Sequence, residues 1–337
     1  MTVAPATLHQ GQAAVRPALQ DAVARLDDST RAVVSYHLGW CDVDGHPIES
    51  AGGKSLRPSL AILSAEAAGG TQEAGIPGAV AVELVHNFSL LHDDLMDRDV
   101  QRRHRATVWS VWGSSTAILA GDALLSLAHE VLLESNSPHA PQAGVMLASA
   151  TRELIRGQVQ DLAFESAALV SLTGCIDMAA GKTGALMSAS AAIGAVLVGA
   201  GSQVVEALST FGAQLGVAFQ LVDDLLGIWG DPGTTGKPVF SDLASRKKTL
   251  PVTYAMEQRG AESAELRAWM SRTEPPSEAE LPHVATLVDR AGGRQWAIEE
   301  TARRTRLAED AICSVHTVER ARRELIELGR FLVSREA

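Results

Sequence analysis

One segment, residues 80–95, carries apolar residues on two sides when it is drawn as a helix. Val82 and Val85 fall on one side, and Leu84 and Leu91 fall on another. A helix that is apolar on several sides must be surrounded by other elements, so this segment requires a large core. The 337-residue chain can supply one, because 46% of its residues are hydrophobic. Only 4% are aromatic, and a core rich in small and straight-chain residues favours helices over sheets.

Further segments show the same helical period, and no region shows the sustained alternation of a half-buried strand. The predicted helices are 119–133, 146–162, 204–229 and 297–332. The predicted loops are 46–55, 69–78, 135–142, 230–241 and 273–282. None of these loops is typical of a domain linker. The sequence therefore predicts a single all-α domain spanning residues 1–337.

One stretch, 183–205, has no charged residue and is long enough to cross a membrane. Its content argues against that, because Ser188, Ser190 and Gln203 lie within it and small residues outnumber large apolar ones. We predict a helix buried inside the protein and no transmembrane segment.

Charge and cysteine content narrow the partners and the compartment. The formal charge of −11 argues against nucleic-acid binding, and an anionic substrate would need local cations or metal ions. Cys41, Cys175 and Cys313 form no paired pattern, which indicates a reducing compartment. Residues 1–15 have neither the basic nor the apolar region of a signal peptide, so a cytoplasmic location is expected.

A first acidic cluster directly follows the apolar segment 80–95. Asp93 and Asp97 lie one helical turn apart, roughly 6 Å along the axis, and Asp94 lies about 100° around the helix. Carboxylate oxygens together with substrate phosphates are the ligands that Mg²⁺ prefers. Charge alone would equally suit a solvated helix end. However, Arg102 and Arg103 follow closely, and an apolar wall, an acidic rim and nearby cations suit a hydrocarbon diphosphate.

A second acidic pair repeats this arrangement. Asp223 and Asp224 lie near the end of an apolar helix that the sequence at 230–232 breaks. Lys237 and Lys247 follow and can supply positive charge to phosphate oxygens. Two such clusters in one chain are hard to explain as solvated faces.

These motifs, in this order, resemble those of the trans-isoprenyl diphosphate synthases, the polyprenyl synthetase family, and most of all the geranylgeranyl diphosphate synthases. The matching segments are Gly52-Gly53-Lys54-Ser55-Leu56-Arg57-Pro58, Glu83-Leu84-Val85-His86, Leu91-His92-Asp93-Asp94-Leu95-Met96-Asp97, Arg102-Arg103, Gly181-Lys182-Thr183, Phe219-Gln220-Leu221-Val222-Asp223-Asp224, Lys237 and Lys247. The resemblance implies a single-domain bundle of helices around a deep apolar cavity, with the motifs in residues 50–255 and C-terminal helices in 256–337. It also implies a homodimer and a Mg²⁺-dependent condensation of isopentenyl diphosphate with an allylic diphosphate, with three ions in the loaded site.

The family's roles carry over to matching positions. Isopentenyl diphosphate would bind Lys54, Arg57, His86 and Arg103. The metal ligands would be Asp93, Asp97 and Asp223, with Asp94 and Asp224 assisting. The allylic diphosphate would contact Arg102, Lys182, Thr183, Gln220, Lys237 and Lys247. The resemblance gives the catalytic set as these five aspartates with Lys182 and Lys237.

Two residues before the first acidic cluster bear on product length. Ser89 lies one turn before Asp93, and Phe88 lies five residues before it. In the family that this chain resembles, an aromatic residue at the fifth position before the first aspartate, with a small residue at the fourth, is similar to the pattern of synthases that make C20 products. We predict geranylgeranyl diphosphate, with C15 and C25 products as alternatives.

The second motif departs from the family pattern, because Gly227 stands where its last aspartate is expected. The spacing from Asp223 through Gly227 to Asp231 also resembles a metal motif of class I terpene cyclases, so a cyclase is the main alternative. An HD-type phosphohydrolase built on His92 and Asp93 would leave the second acidic pair without a role. A non-catalytic subunit of a synthase would be expected to lack the first motif, which is complete here.

Overall fold

The computed structural model describes residues 6–48, 56–167, 169–231 and 238–334, and these are mostly helical. The elements before the midpoint are α1 Ala6–Val23, α2 Asp28–His37, α3 Leu56–Ala67, α4 Gln72–Met96, β1 Gln101–Arg102, β2 Arg105–Ala106, α5 Val108–Trp112, α6 Ser114–Leu133 and α7 Ala140–Ser166. Those after it are α8 Leu172–Ala179, a π-helical turn Ala180–Gly184, α9 Ala185–Leu197, α10 Ser202–Trp229, α11 Ser241–Ala244, α12 Leu250–Glu257, α13 Ala261–Met270, α14 Leu281–Arg290, α15 Gly293–Cys313 and α16 Glu319–Val333. The predicted all-α class is confirmed.

The centre of the bundle is α9, which packs against both α4 and α10. This helix carries most of the uncharged stretch, and Ser190 and Ile193 within it are fully buried. α6 and α3 cover α4 on other sides, while α15 packs along α10. The two helices that end in acidic residues are therefore held apart by one small-residue helix.

Two predictions about local structure are corrected. Residues 69–78 are not one loop, because α4 begins at Gln72, where the Thr71 side chain accepts a hydrogen bond from the Ala74 N–H. Pro77 lies in the second turn of that helix. Residues 297–332 form two helices, because α15 ends at Cys313 and α16 begins at Glu319. Between them, the Val318 N–H donates to the Ala67 carbonyl oxygen at 2.9 Å.

A short β-hairpin was also not foreseen. β1 and β2 pair antiparallel, with Arg102 opposite Arg105. Both residues of the turn, Arg103 and His104, have positive φ (51° and 61°). This is the twist that two-residue hairpins require. The hairpin turns Arg102 back towards the end of α4.

Within the part of the chain that the structure describes, four helical segments are long and apolar enough, by length and composition, to cross a membrane: Gln72–Met96, Ser114–Leu133, Leu172–Leu197 and Ser202–Trp229. Inside the bundle, the apolar windows of Gln72–Met96 and Leu172–Leu197 are 67% and 72% buried, whereas that of Ser114–Leu133 is 39% buried. The expectation of no transmembrane segment stays a prediction.

Candidate active site

The first acidic cluster lies at the C-terminal end of α4. Asp93 is in the last full turn, and Asp97 is the residue at which the helix stops, with its N–H donating to the Asp93 carbonyl oxygen. Burial raises the pKa of Asp93 to about 6, and Asp97 adds to the increase while Lys182 opposes it. The loss of surrounding water also raises the pKa of Asp97, against the charges of Lys182 and Lys247. Both carboxylates thus lie close to cations from other parts of the fold.

Asp94 faces a different direction and is 2% exposed. Its Oδ1 accepts a hydrogen bond from Arg102 Nε at 2.6 Å, which ties the end of α4 to the hairpin. Burial raises the pKa of Asp94, and Arg102 lowers it. A buried carboxylate with such a partner is well placed to orient the charged groups around it.

Lys182 lies within the π-helical turn between α8 and α9, an irregularity often found at functional sites. Its Nζ donates to Asp161 Oδ2 of α7 at 2.5 Å. The two helices approach closely because residue 157 is glycine, and a Cβ there would overlap the Lys182 backbone. Asp161 had not been singled out from the sequence, although it lies one turn after Gly157 on α7.

The second acidic pair is held by a chain of hydrogen bonds. Thr183 Oγ1 donates to Gln220 Oε1 at 2.9 Å, and Gln220 Nε2 donates to Asp224 Oδ1 at 2.9 Å. The Leu250 N–H donates to Asp224 Oδ2, also at 2.9 Å. Asp224 is 4% exposed, and burial raises its pKa to about 7. Asp223 precedes it on α10 and is half-buried.

Lys247 links the two acidic ends electrostatically. Loss of water lowers its pKa, but the charges of Asp161, Asp224 and Asp242 raise it by more, and Asp97 also contributes. The net effect is a pKa above the ordinary value of lysine, so Lys247 is a cation throughout the physiological range.

A separate group of cations lies near Asp223. Burial lowers the pKa of Arg57, while the charges of Glu83 and Asp223 oppose this effect. Burial and the charges of Arg57 and Arg103 keep the pKa of His86 well below its ordinary value, so the imidazole is neutral at pH 7. Arg57 Nε is buried without a hydrogen-bond partner. An arginine with an unsatisfied buried donor, beside a second arginine, is suited to receive an anion.

Most of the predicted site residues are therefore brought together by the fold. Lys54 and Lys237 lie outside the described residues. Glu83 acts on the Arg57 group and Asp161 and Asp242 act on Lys247, but the sequence assigns none of the three a role. The signal for Glu83 was available, because it lies one turn before His86 and faces the same side of α4.

The two residues predicted to influence product length lie on different sides of α4. Phe88 is 5% exposed, and its ring meets that of His92 edge-on at 4.8 Å between centroids. His92 Nε2 in turn lies 3.1 Å from the Ile118 carbonyl oxygen of α6, where Gly121 leaves room for the ring. Ser89 is 8% exposed, and its hydroxyl donates to the His86 carbonyl oxygen of its own helix. The Phe88 ring is thus backed by a second ring and by α6.

The donor set fits Mg²⁺. Asp93, Asp97 and Asp223 offer hard carboxylate oxygens, and burial, which raises the pKa of Asp93, penalises the ionised form that a divalent cation would stabilise. A tighter group of possible ligands, Asp42 with Asp44 and His46, lies on an exposed turn. There, Asp42 Oδ1 accepts hydrogen bonds from the Asp44 and His46 N–H groups, which accounts for the turn without a metal.

Comparison with known proteins supports the same interpretation. Residues 45–288 match the family model described as polyprenyl synthetase. The chain is 53% identical to the (2E,6E)-farnesyl diphosphate synthase of Mycobacterium bovis over 96% of this chain and 91% of that protein. It is 42% identical to a geranylgeranyl diphosphate synthase of Mycobacterium tuberculosis, over 86% and 83% of the two chains. The crystal structure of a polyprenyl synthetase from Streptomyces coelicolor A3(2) superposes with a TM-score of 0.94 at 48% identity, over 97% of this chain and 99% of that chain.

Proposed function

Because this chain belongs to the polyprenyl synthetase family and is a prenyltransferase, we propose that it condenses isopentenyl diphosphate with an allylic diphosphate and releases diphosphate. The product is a trans-prenyl diphosphate, with C20 geranylgeranyl diphosphate as the expected length. The observation that carries the proposal is the convergence of two acidic helix ends on the cations Lys182 and Lys247.

The allylic diphosphate would lie between the ends of α4 and α10. Asp93, Asp97 and Asp223 would hold magnesium, which when bound withdraws negative charge from the departing diphosphate. Lys182 and Lys247 add fixed positive charge to the same region, and Lys237 is assigned there by its place in the motif. Asp94 and Asp224 keep Arg102 and Gln220 in position.

Isopentenyl diphosphate would bind in the group around Arg57. The guanidinium groups of Arg57 and Arg103 match the geometry and charge of a diphosphate, and neutral His86 contributes a hydrogen bond without adding charge. Lys54 belongs to this set by its motif. The alkene then attacks the allylic cation, and the proton lost in the last step passes to the released diphosphate, so no side-chain nucleophile is required.

Phe88 is proposed to limit product growth. Its buried ring is supported by His92 and α6, so it cannot easily move aside, whereas Ser89 leaves space beside it. This arrangement favours C20. The 53% identity to a protein named farnesyl diphosphate synthase favours a C15 product as the second candidate.

The homodimer is proposed on the surface formed by α6 and α7, two helices that pack against each other. Both expose aliphatic side chains to an unusual degree. These are Ile118, Leu119, Leu133, Val145, Ile155 and Val159. Light scattering should give twice the chain mass in solution, and a monomer would reject the proposal. A single domain and a cytoplasmic location complete the proposed description.

The activity is tested by incubating the protein with Mg²⁺ and dimethylallyl, geranyl or farnesyl diphosphate, each with and without isopentenyl diphosphate. Mass spectrometry of the dephosphorylated products should show C20 alcohol only when isopentenyl diphosphate is present. Hydrocarbon made without it would establish the cyclase instead. C15 as the final product would establish the second candidate.

Phe88→Ala tests the length limit, and Ser89→Ala is the matched control on the same helix. The first variant should lengthen the product by one or more C5 units, and the control should not. Identical products from wild type and Phe88→Ala would show that another residue stops growth.

A further inference from the structure

Position 227 lies one helical turn after Asp223 on the same face of α10. Glycine there leaves the second acidic motif one carboxylate short. In the structure, however, a Cβ added to Gly227 would overlap the Cγ and both carboxylate oxygens of Asp242. The space that a side chain at 227 would occupy is therefore filled by the carboxylate of another residue. Glycine within a helix is less favourable than alanine, and this close approach supplies the reason for a glycine here.

Asp242 is held in that place by the short helix α11. Ser241 Oγ donates to the Gly227 carbonyl oxygen at 3.3 Å, and the Lys247 N–H donates to the Asp242 carbonyl oxygen at 2.8 Å. Leu243, next in the chain, is fully buried in the same core cluster as Ile228 of α10. Contacts on both sides of Asp242 therefore fix α11 against the turn of α10 that follows Asp223.

The charge of Asp242 acts on the residues of the second acidic end. It raises the pKa of Lys247 and that of Asp224. A carboxylate in this position compensates one cation and adds to the negative potential around Asp224, the neighbour of Asp223 on α10.

We propose that Asp242 is the third acidic group of the second motif, supplied from α11 instead of from α10. It is a positioning residue: it orients Lys247 and would support a metal–diphosphate group held beside Asp223. This inference rests on the proposed function for the identity of that group, but its test does not require turnover.

The test measures binding of Mg²⁺ with inorganic diphosphate by calorimetry. Asp242→Asn keeps the shape of the side chain and removes its charge, and it should weaken binding by about 10–100-fold, the usual effect of a group that supports a metal ligand. Asp310→Asn, on the exposed surface of α15, should bind like wild type. Asp231→Asn tests the competing carboxylate at the end of α10 and should weaken binding less than Asp242→Asn. Wild-type binding by a folded Asp242→Asn protein, or a larger loss in Asp231→Asn, would overturn the proposal.

A swap provides the second test. Gly227→Asp alone places two carboxylates in one space and should weaken binding and lower the melting temperature. The double variant Gly227→Asp with Asp242→Ala moves the carboxylate back to α10 and should bind better than either single variant, a coupling that independent sites do not show. A folded double variant that binds no better than either single variant would reject the interchange.

If wild type binds Mg²⁺ and diphosphate but makes no prenyl product, the proposed function fails and this inference stands. If wild type makes product but Asp242→Asn binds normally, only this inference fails.

Discussion

The two acidic ends of the site present similar carboxylate groups, but the elements that position those groups differ. At the end of α4, Asp93 and Asp97 come from one helix, one turn apart, and Asp97 is exposed. At the end of α10, Asp224 is 4% exposed and depends on the Leu250 N–H, while the carboxylate beside Gly227 comes from α11. The first end is set by local helix geometry and the second by long-range packing. The first should therefore tolerate changes elsewhere in the fold better than the second.

The largest expected effect is common to both ends. Asp93→Asn and Asp223→Asn each remove a proposed metal ligand and should lower kcat/KM by about 10²–10³-fold, comparable to losing one stabilising group at a developing charge. Steady-state kinetics at saturating Mg²⁺ measure the loss, and Asp310→Asn serves as the control. Near-normal turnover in either variant would mean that the corresponding end is not part of the reaction site.

The next test concerns Asp161, which influences both ends through Lys182 and Lys247. Asp161→Asn should reduce kcat/KM for the allylic diphosphate by about 10–100-fold, because it frees Lys182 from its partner. The KM for isopentenyl diphosphate should change little, since the pKa of Arg57 responds mainly to burial and to the charges of Glu83 and Asp223, and that of His86 to burial and to the nearby arginines.

Asp177→Asn is the matched control for Asp161→Asn. Asp177, on α8, pairs at 2.6 Å with Arg156, which lies on α7 like Asp161. This pair lies on a more exposed surface than the Asp161–Lys182 pair. A similar kinetic loss in both variants would assign the Asp161 effect to general disturbance of α7.

The smallest expected effect is on the free energy of unfolding. Its pH dependence should differ between Asp93 at the first end and Asp224 at the second. The folded-state pKa is about 6 for Asp93 and about 7 for Asp224, above the ordinary value of 3.8. For each group, at pH values between 3.8 and its folded-state pKa, the folded protein binds more protons than the unfolded chain. The contribution of the group to the free energy of unfolding therefore falls as the pH rises through that window. For metal-free protein, the stability of wild type relative to Asp93→Asn should fall from about pH 4 to about pH 6.

For Asp224→Asn, the corresponding difference should extend to about pH 7. An additional pH-independent loss is expected, because an amide cannot accept both hydrogen bonds that the carboxylate accepts from Gln220 and Leu250. Thermal unfolding in chelator measures both. A difference that grows with rising pH would contradict the direction of these pKa shifts.

Much of the fold could be predicted because its signals are local. Helical periodicity identified the middle and end of α4, and the apolar pattern identified α10 with nearly its observed bounds. The start of α4 was missed because Gly75, Pro77 and Gly78 read as a loop, whereas the surrounding core holds them in a helix. The break after Cys313 was missed, and the residues that follow it contact a distant part of the chain, with the Val318 N–H donating to the Ala67 carbonyl oxygen.

The same distinction holds for the site. The sequence by itself determined the acidic turns, because residues four apart in a helix share a face whatever surrounds them. It could not determine that Asp161 would meet Lys182, or that Asp242 would fill the space at Gly227, because these pairs lie on different elements. Only the packing of α7 against the π-helical turn and of α11 against α10 decides those contacts, and the desolvation that shifts the pKa values follows from the same packing.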